Sequence, residues 1–131
     1  MTATRLSELR IDLTAADGNQ SYELFQNFRL GIAPSYTLHI EHGTGTAGDS
    51  HGLSNSNNND FATFDEDNVN RCAVRYHGGW WYGSCAFANL NGEYGTPGHI
   101  SSYSNGEGGF TYREFQLLRM LRESFMMFRR V

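Results

Sequence analysis

Apolar and polar residues alternate along the first 45 residues, which is the pattern of half-buried β-strands. Residues 9–13 read Leu-Arg-Ile-Asp-Leu, and residues 36–40 alternate in the same way. Side chains at every second position fall on one face of a strand, so each segment predicts one buried and one exposed face. The turn signal Asp17-Gly18-Asn19 predicts a hairpin that leads into a further strand over residues 22–30.

Residues 43–60 lose this alternation. They consist mainly of Gly, Ser and Asn, with almost no apolar side chains. By composition alone, such a stretch is typical of a flexible linker.

The C-terminal segment has a different period. Apolar residues recur there at steps of three and four, which predicts an apolar stripe along a helix; they are Phe115, Leu118, Leu121, Phe125 and Phe128. Five arginines between 113 and 130 make the segment basic. A basic amphipathic helix can lie on a membrane or bind a partner, whereas the simpler interpretation is that the apolar residues pack in the core.

Residues 72–92 contain both cysteines of the chain, Cys72 and Cys85, on either side of a Gly-Gly-Trp-Trp-Tyr core. With no other cysteine present, the two either pair with each other or stay free. The aromatic side chains offer large apolar areas with polar tips. Loops of this kind carry recognition more often than they carry a core.

Composition narrows the functional classes. The chain has 131 residues, 39% of them apolar, 15 glycines and a net charge of −4. This length is typical of one domain, and the glycine content favours a loop-rich β or α+β domain. The negative charge disfavours nucleic acid as a partner. The first six residues lack the apolar run of a signal peptide.

One glycosylation sequon occurs, at Asn19-Gln20-Ser21. It lies beside the Asp17-Gly18 turn signal, which predicts an exposed position. We therefore regard Asn19 as a candidate glycosylation site.

The chain resembles the C-terminal, disulfide-bounded part of the fibrinogen-related domain. That family includes fibrinogen chain ends, ficolins, tachylectin-type lectins, tenascins and angiopoietins. The matching motifs extend from about residue 9 to residue 122 in the expected order: LRIDL (9–13), DGN (17–19), FRLG to YTLHI (28–40), TAGDS (46–50), FATFDEDN (61–68), CAVRYHGGWWYGSC (72–85), NLNGEYG (89–95), HISSYSNG (99–106) and GFTY (109–112).

The resemblance implies an α+β fold, with a small antiparallel sheet and a loop-rich binding part. We expect one partial domain over residues 1–131, with sheet over about 1–45 and the binding part, ordered loop included, over about 46–122. In place of the helix that the spacing predicts, the resemblance implies a strand over residues 110–122 that returns to the sheet. Residues 123–131 then form an additional tail beyond the family's usual end. The family domain normally begins well upstream, so the chain holds somewhat more than half of it. The resemblance also implies secretion and a Cys72–Cys85 disulfide.

The family's calcium loop matches the acidic cluster before Cys72. Family members use two Asp carboxylates two residues apart and two backbone carbonyls, the oxygen ligands that Ca²⁺ prefers. Asp67 matches the first of these Asp residues, but Val69 stands at the second, and the loop is about three residues shorter. Asp65 is the candidate replacement, so Asp65 and Asp67 form a degenerate predicted site, with a solvated acidic turn as the alternative.

The family's acetyl-group pocket matches four positions. Tyr76 and Tyr103 correspond to its aromatic walls, with Ser104 beside the second, and Ala86 stands where the family has a His. Apolar walls with one or two polar groups suit a small acetylated ligand. The alternative is that these tyrosines and the Trp80–Trp81 pair form the small core of this region.

The leading functional prediction is lectin-like binding of acetylated carbohydrate in pattern recognition. The alternative is an adhesive or signalling module of the tenascin or angiopoietin kind that binds extracellular proteins without a sugar pocket. We do not predict an enzyme. Residues 48–52 match the hydrolase pattern G-x-S-x-G, but that motif needs a following helix, and no helical period follows Ser50.

Overall fold

The computed structural model describes residues 7–100 and 109–131. Its elements, in chain order, are β1 (Ser7–Thr14), β2 (Gln20–Phe25), β3 (Arg29–Leu30), β4 (Leu38–His39), β5 (Thr44–Gly45), a 3₁₀ turn (Leu53–Ser56), α1 (Cys72–Tyr76), β6 (Ala88–Asn89), β7 (Thr111–Tyr112), α2 (Arg113–Gln116) and β8 (Glu123–Arg130). Four strands form the main antiparallel sheet in the order β5-β2-β1-β8, and the pairs β3–β4 and β6–β7 are separate.

The β1–β2 hairpin confirms the predicted alternation. Leu9, Ile11 and Leu13 are buried on one face of β1, where apolar burial supplies most of the stability of a sheet. The turn is closed by a hydrogen bond from the Ala15 amide to the Asn19 carbonyl at 2.8 Å. Gly18 has φ +90°, a conformation that side chains with a Cβ disfavour.

The predicted strand over residues 22–30 divides in two. β2 ends at Phe25, and the chain then turns through Asn27, which has φ +52°. The short β3 pairs with β4, with Arg29 opposite His39 and Leu30 opposite Leu38. The alternation over 36–40 therefore corresponds to only two paired residues.

The helical spacing of the C-terminal segment does not correspond to one helix, and the predicted additional tail over residues 123–131 contains a strand of the main sheet. Of the strand that the resemblance implied over residues 110–122, only Thr111–Tyr112 is present. Only Arg113–Gln116 is helical, and Glu123–Arg130 pairs with the full length of β1, from Ser7 opposite Arg130 to Thr14 opposite Glu123. The apolar residues spaced by three and four fall in α2, in the loop after it and in β8, so their spacing does not belong to one helix. Backbone pairing with β1 satisfies the peptide groups on one edge of β8, and it decides the conformation of this segment.

Two buried carboxylates organise the Gly- and Ser-rich stretch. Asp49 accepts hydrogen bonds from the Gly43 amide at 2.7 Å and the Ser54 amide at 3.0 Å, and Glu23 accepts one from the Gly48 amide at 2.9 Å. The Tyr112 hydroxyl donates to the Gly48 carbonyl at 2.8 Å. These bonds hold the loop against β2 and β7, so residues 43–60 are ordered and do not form a flexible linker. In the G-x-S-x-G segment, Asp49 accepts hydrogen bonds from loop amides, and a 3₁₀ turn follows Ser50. The segment therefore does not form a nucleophile elbow.

A single hydrophobic cluster joins the sheet to the cysteine region. It includes Ile11 and Phe25 from the sheet together with Trp80, Cys72 and Tyr112 from the rest of the chain. Because these side chains are buried against one another, the sheet and the loops share one core. In the part of the chain that the structure describes, no helix is long and apolar enough to span a membrane.

Candidate binding surface around the disulfide loop

The Cys72–Cys85 disulfide is present. It joins the first residue of α1 to a loop residue 13 positions later, with the two Cα atoms 5.4 Å apart. Cys72 and Cys85 are 0% and 6% exposed. The bridge therefore closes the aromatic segment against the core.

The aromatic residues inside this loop are buried. Trp80 and Trp81 are 1% and 8% exposed, and the Trp81 indole donates a hydrogen bond to the Tyr36 carbonyl at 2.9 Å. The backbone of Trp80 pairs with Ala62 in both directions, at 2.8 and 3.1 Å. The tryptophan pair fixes the loop to the segment around residue 62 and offers little surface to a ligand.

Asp67 holds the start of α1. Its carboxylate accepts hydrogen bonds from the backbone amides of Asn68 at 2.8 Å, Ala73 at 3.0 Å and Val74 at 2.9 Å. The first amides of a helix have no partner within the helix, so a carboxylate placed there stabilises it. Burial alone would raise the pKa of Asp67, but the three amide donors and Arg71 together lower it below its ordinary value.

Asn68 ties the same loop to the far side of the disulfide. Its side-chain amide donates to the carbonyls of Gly83 at 3.0 Å and Tyr82 at 3.3 Å, and its side-chain oxygen accepts from the Cys72 amide at 3.2 Å. Asp67 and Asn68 therefore act together as a clamp between the acidic loop, α1 and the segment before Cys85.

The residues predicted to bind calcium do not fit the ion in this arrangement. Both carboxylate oxygens of Asp67 accept backbone amides, so an ion would have to displace those bonds. Asp65 is exposed, and its carboxylate accepts a hydrogen bond from the Thr63 hydroxyl at 2.7 Å. Ca²⁺ requires six to eight oxygens, and residues 7–100 and 109–131 contain no group of three or more His, Cys, Asp or Glu that could hold a metal.

The residues predicted for the acetyl-group pocket lie in different environments. Ala86 lines a cleft of about 330 Å³ next to Cys85, together with Asn55, Gly83, Ser84 and Phe87. Tyr76 is 3% exposed, so its ring belongs to the core, and the Arg75 guanidinium donates to its hydroxyl at 3.2 Å. Tyr103 and Ser104 lie outside the described residues.

Sequence reasoning missed a second cleft, of about 420 Å³, beside the acidic loop. Its lining residues come from three loop segments and from Tyr82: Pro34, Ser35, Asn58, Asn59, Asp60, Phe61, Ala62, Glu66, Asp67 and Asn68. The only sequence signal was the concentration of Asn and Asp over residues 55–60, which composition assigns to a linker. The predicted exposure of Asn19 is confirmed, while its glycosylation stays a prediction.

The chain is similar to known proteins along nearly its whole length. The family described as fibrinogen beta and gamma chains, C-terminal globular domain, matches residues 1–128. The chain belongs to this fibrinogen C-terminal family. The match extends through most of β8, so the tail that was predicted as an addition is part of the fibrinogen-like fold.

Three similar proteins place the chain within the fibrinogen C-terminal family. It is 40% identical over 108 residues to Fibrinogen C domain-containing protein 1-B of Xenopus laevis, covering 76% of this chain and 23% of that protein. It is 37% identical over 110 residues to Angiopoietin-1 of Canis lupus familiaris, covering 81% and 22%. The fibrinogen-like globe domain of human ANGPTL6 superposes with a TM-score of 0.86 at 32% identity, covering 98% of this chain and 58% of that globe. The chain thus spans about a quarter of the curated relatives that it matches.

Proposed function

We propose that this chain is an extracellular recognition module that binds a protein partner, as an adhesive or signalling domain of the angiopoietin or tenascin kind does. The observation that carries the proposal is the state of the two described pocket positions: Tyr76 is buried and Ala86 supplies no polar side chain. A sugar pocket needs exposed walls with placed polar groups. The 37% identity to Angiopoietin-1 supports the same class.

An extracellular location agrees with the disulfide, because such bonds persist in oxidising compartments. The net charge of −4 argues against nucleic acid as the partner. Ser50 is followed by a short 3₁₀ turn and not by the helix that a nucleophile elbow needs, so we propose binding and not catalysis as the activity.

The cleft beside the acidic loop is the surface that we assign to the partner. Asp60 and Glu66 are exposed at its lining, and Asp65 lies next to it in sequence. Clefts lined by one sign of charge attract ligands of the opposite sign. We therefore propose that the partner contributes an Arg or Lys side chain to this cleft.

A cell-surface binding assay tests this function. We would measure binding of the fluorescently labelled chain to cultured animal cells, before and after trypsin treatment of the cells and with free N-acetylglucosamine as competitor. A protein-binding module loses its binding after trypsin and ignores the sugar. Glu66→Lys should weaken binding about tenfold or more, since the negative charge proposed to face the partner's cation is replaced by a positive one. Glu41→Lys, the same change at an exposed position outside the cleft, is the matched control.

Binding of acetylated carbohydrate is the second candidate, and the cleft at Ala86 favours it. Ser84 and Asn55 offer polar groups there, and Phe87 offers an aromatic ring. On this alternative, N-acetylglucosamine abolishes cell binding, the chain is retained on immobilised N-acetylglucosamine, and Ala86→His increases retention. Loss of cell binding in the presence of the sugar would overturn the proposed protein-binding function.

A further inference from the structure

The turn over residues 89–92, which reads Asn-Leu-Asn-Gly, contacts the disulfide loop directly. The Gly92 amide donates a hydrogen bond to the Asn89 carbonyl at 3.1 Å and closes the turn. The Asn91 side-chain amide donates to the Gly79 carbonyl at 2.9 Å. Because Gly79 lies inside the disulfide loop, this bond connects the turn to that loop.

The backbone of this turn is enclosed on two sides. A Cβ atom at Gly92 would lie 2.2 Å from the Gly109 carbonyl oxygen, so no other residue fits there without displacing the chain. A Cβ atom at Gly78 would lie 2.5 Å from the Asn91 carbonyl oxygen, so the turn also packs on the backbone of the disulfide loop. The fold therefore requires a glycine immediately after Asn91.

An asparagine followed by glycine is the dipeptide in which deamidation is fastest, because glycine has no side chain to hinder attack by its nitrogen on the preceding side chain. The close approach of Gly109 keeps this reactive pair in the chain. We propose that Asn91 is a site of spontaneous deamidation and that opening of the 89–92 turn controls the reaction. This inference goes beyond the proposed partner binding and concerns a different part of the molecule.

The reaction needs only the chain and water. The Gly92 backbone nitrogen attacks Cγ of the Asn91 side chain, a new C–N bond forms, and the bond from Cγ to Nδ2 breaks. The Gly92 nitrogen loses its proton and Nδ2 leaves as ammonia, so the intermediate is a cyclic succinimide. Water then opens the ring. Opening at Cγ gives aspartate, and opening at the Asn91 main-chain carbonyl carbon gives isoaspartate, in which the backbone runs through the side chain.

The folded turn opposes ring closure. The Gly92 N–H, whose proton must be lost, is bound to the Asn89 carbonyl, and the Asn91 side chain, which must rotate towards Gly92, is bound to the Gly79 carbonyl. Both bonds break when the turn opens locally, an event that costs less free energy than unfolding of the whole chain. The rate of deamidation in the native chain should therefore follow the opening of this turn.

Either product prevents the turn from closing again in its original form. An ionised aspartate accepts hydrogen bonds but donates none, so it loses the bond to the Gly79 carbonyl and places a negative charge against that oxygen. Isoaspartate adds one carbon to the backbone beside Gly92, where the Gly109 carbonyl leaves no room for a Cβ atom. Deamidation therefore releases the turn from the disulfide loop.

Peptide mapping of the aged chain tests the site. The second Asn-Gly pair, Asn105-Gly106, lies outside the described residues, and cleavage after glutamate separates it from Asn91, because residues 67–93 then form one peptide. During incubation of the native chain at mildly alkaline pH, this peptide should acquire aspartate and isoaspartate forms. The Asn91→Gln variant is the control and should not acquire them. In urea that unfolds the chain, the reaction should be at least about tenfold faster.

Two glycine variants test the control by the turn. Gly78→Ala places a methyl group against the Asn91 carbonyl and should accelerate deamidation of the folded chain about threefold or more. Gly31→Ala introduces a close contact in another loop, 3.2 Å from the Thr37 amide nitrogen, and should leave the rate unchanged. Circular dichroism checks that each variant is folded. Deuterium exchange of the Gly92 amide in the original chain measures the opening of the turn without any variant.

Hydrogen exchange of the deamidated chain, separated by anion-exchange chromatography, tests the consequence. The Gly92 amide, and the Phe110 amide that donates to the Glu93 carbonyl at 3.1 Å, should exchange about tenfold faster than in the unmodified chain, while the amides of β1 should not change. Native-state deamidation as fast as in urea, or a deamidated chain with unchanged exchange, would overturn the control by the turn. A 67–93 peptide that stays unmodified in the native chain would overturn the site itself.

Discussion

At the scale of single residues, Asp67 illustrates how one carboxylate acquires a structural role. Its sequence position matches a calcium ligand, but the fold brings the amides of Ala73 and Val74 to its oxygens. With Val69 in place of the family's second Asp, the loop has no second carboxylate at that position. The amide groups of α1 then supply the positive partners of the Asp67 carboxylate.

Replacing Asp67 by Ala should destabilise the chain by about 1–3 kcal/mol, because two helix amides and a loop amide lose their acceptor. Asp65→Ala removes only the bond from Thr63 and should change stability by less than about 0.5 kcal/mol. Urea denaturation measures both. Millimolar Ca²⁺ should leave the melting temperature of the unmodified chain nearly unchanged; a clear rise that Asp67→Ala abolishes would restore the calcium site.

The pKa of Glu23 is shifted in the opposite direction to that of Asp67. Burial raises the pKa of Glu23 above its ordinary value, the Gly48 amide partly opposes this, and the neighbouring Asp49 adds to it. A folded-state pKa above that of the unfolded chain means that folding favours the protonated form. The contribution of Glu23 is therefore full below its unfolded pKa and is lost as pH rises through the folded one.

Glu23→Gln should accordingly gain stability relative to the original chain as pH rises from about 4 towards 7, because the neutral amide has no charge to desolvate. The glutamine oxygen can still accept the Gly48 amide. Asp67→Asn should instead lose stability relative to the original chain as pH rises over the same range. The lowered folded-state pKa of Asp67 stabilises the original chain above the unfolded-state pKa, and that stability is lost as pH falls. Melting temperatures in a pH series distinguish the two; parallel curves for Glu23→Gln and the original chain would contradict the role of burial.

At the scale of elements, α1 and the loop before Cys85 form one clamped unit. α1 has five residues, too few for a helix to be stable by itself. It is held by Asp67 at its start, by the disulfide at Cys72 and by Asn68, which reaches to Gly83. Each of these three connections restrains the same short segment.

Removing the disulfide with a Cys72→Ser and Cys85→Ser double variant should lower the free energy of unfolding by about 3 kcal/mol, the value expected for closing a loop of this length in the unfolded chain. Urea unfolding measures the change. The original chain with reductant should show a similar loss, and the double variant should be insensitive to reductant. Equal stability of the oxidised chain and the double variant would contradict the effect.

At the scale of the whole molecule, the shared core predicts cooperative unfolding. Trp80 and Trp81 report on the disulfide loop, while β1, β2 and β8 dominate the strand signal, and one cluster of buried side chains connects them. Domains of this size with one core normally unfold in a single transition. Tryptophan fluorescence and far-ultraviolet circular dichroism should therefore give the same urea midpoint.

Trp81→Ala should lower the free energy of unfolding by about 3–5 kcal/mol and shift both urea midpoints down together, since truncating a buried aromatic side chain leaves a cavity in that shared core. Val69→Ala, at a residue that is 93% exposed, is the control and should leave both unchanged. Separate midpoints for the two probes would show that the sheet and the loop region unfold independently.

The sequence by itself determined the features that depend on local pattern and on motif order. Alternation over residues 9–13 and the Asp17-Gly18 turn predicted the β1–β2 hairpin, because strand faces and turn conformations follow from neighbouring residues. The order of motifs predicted the family and the Cys72–Cys85 pair. The burial of Trp80 and Trp81 agrees with the alternative that the tryptophan pair belongs to the core of this region.

Only the tertiary structure decided the features that depend on partners distant along the chain. β8 is a strand because β1, more than 100 residues earlier, supplies its hydrogen bonds, and its own three- and four-residue spacing suggested a helix. The resemblance implied an ordered loop over residues 43–60, but the contacts that order it are long-range, from Glu23 and Tyr112 to its backbone. Asp67 caps α1 because packing brings amides of the helix to its carboxylate. Tyr76 is buried because α1 packs against the core. Spacing along the chain contains no information about which distant groups will satisfy these polar atoms.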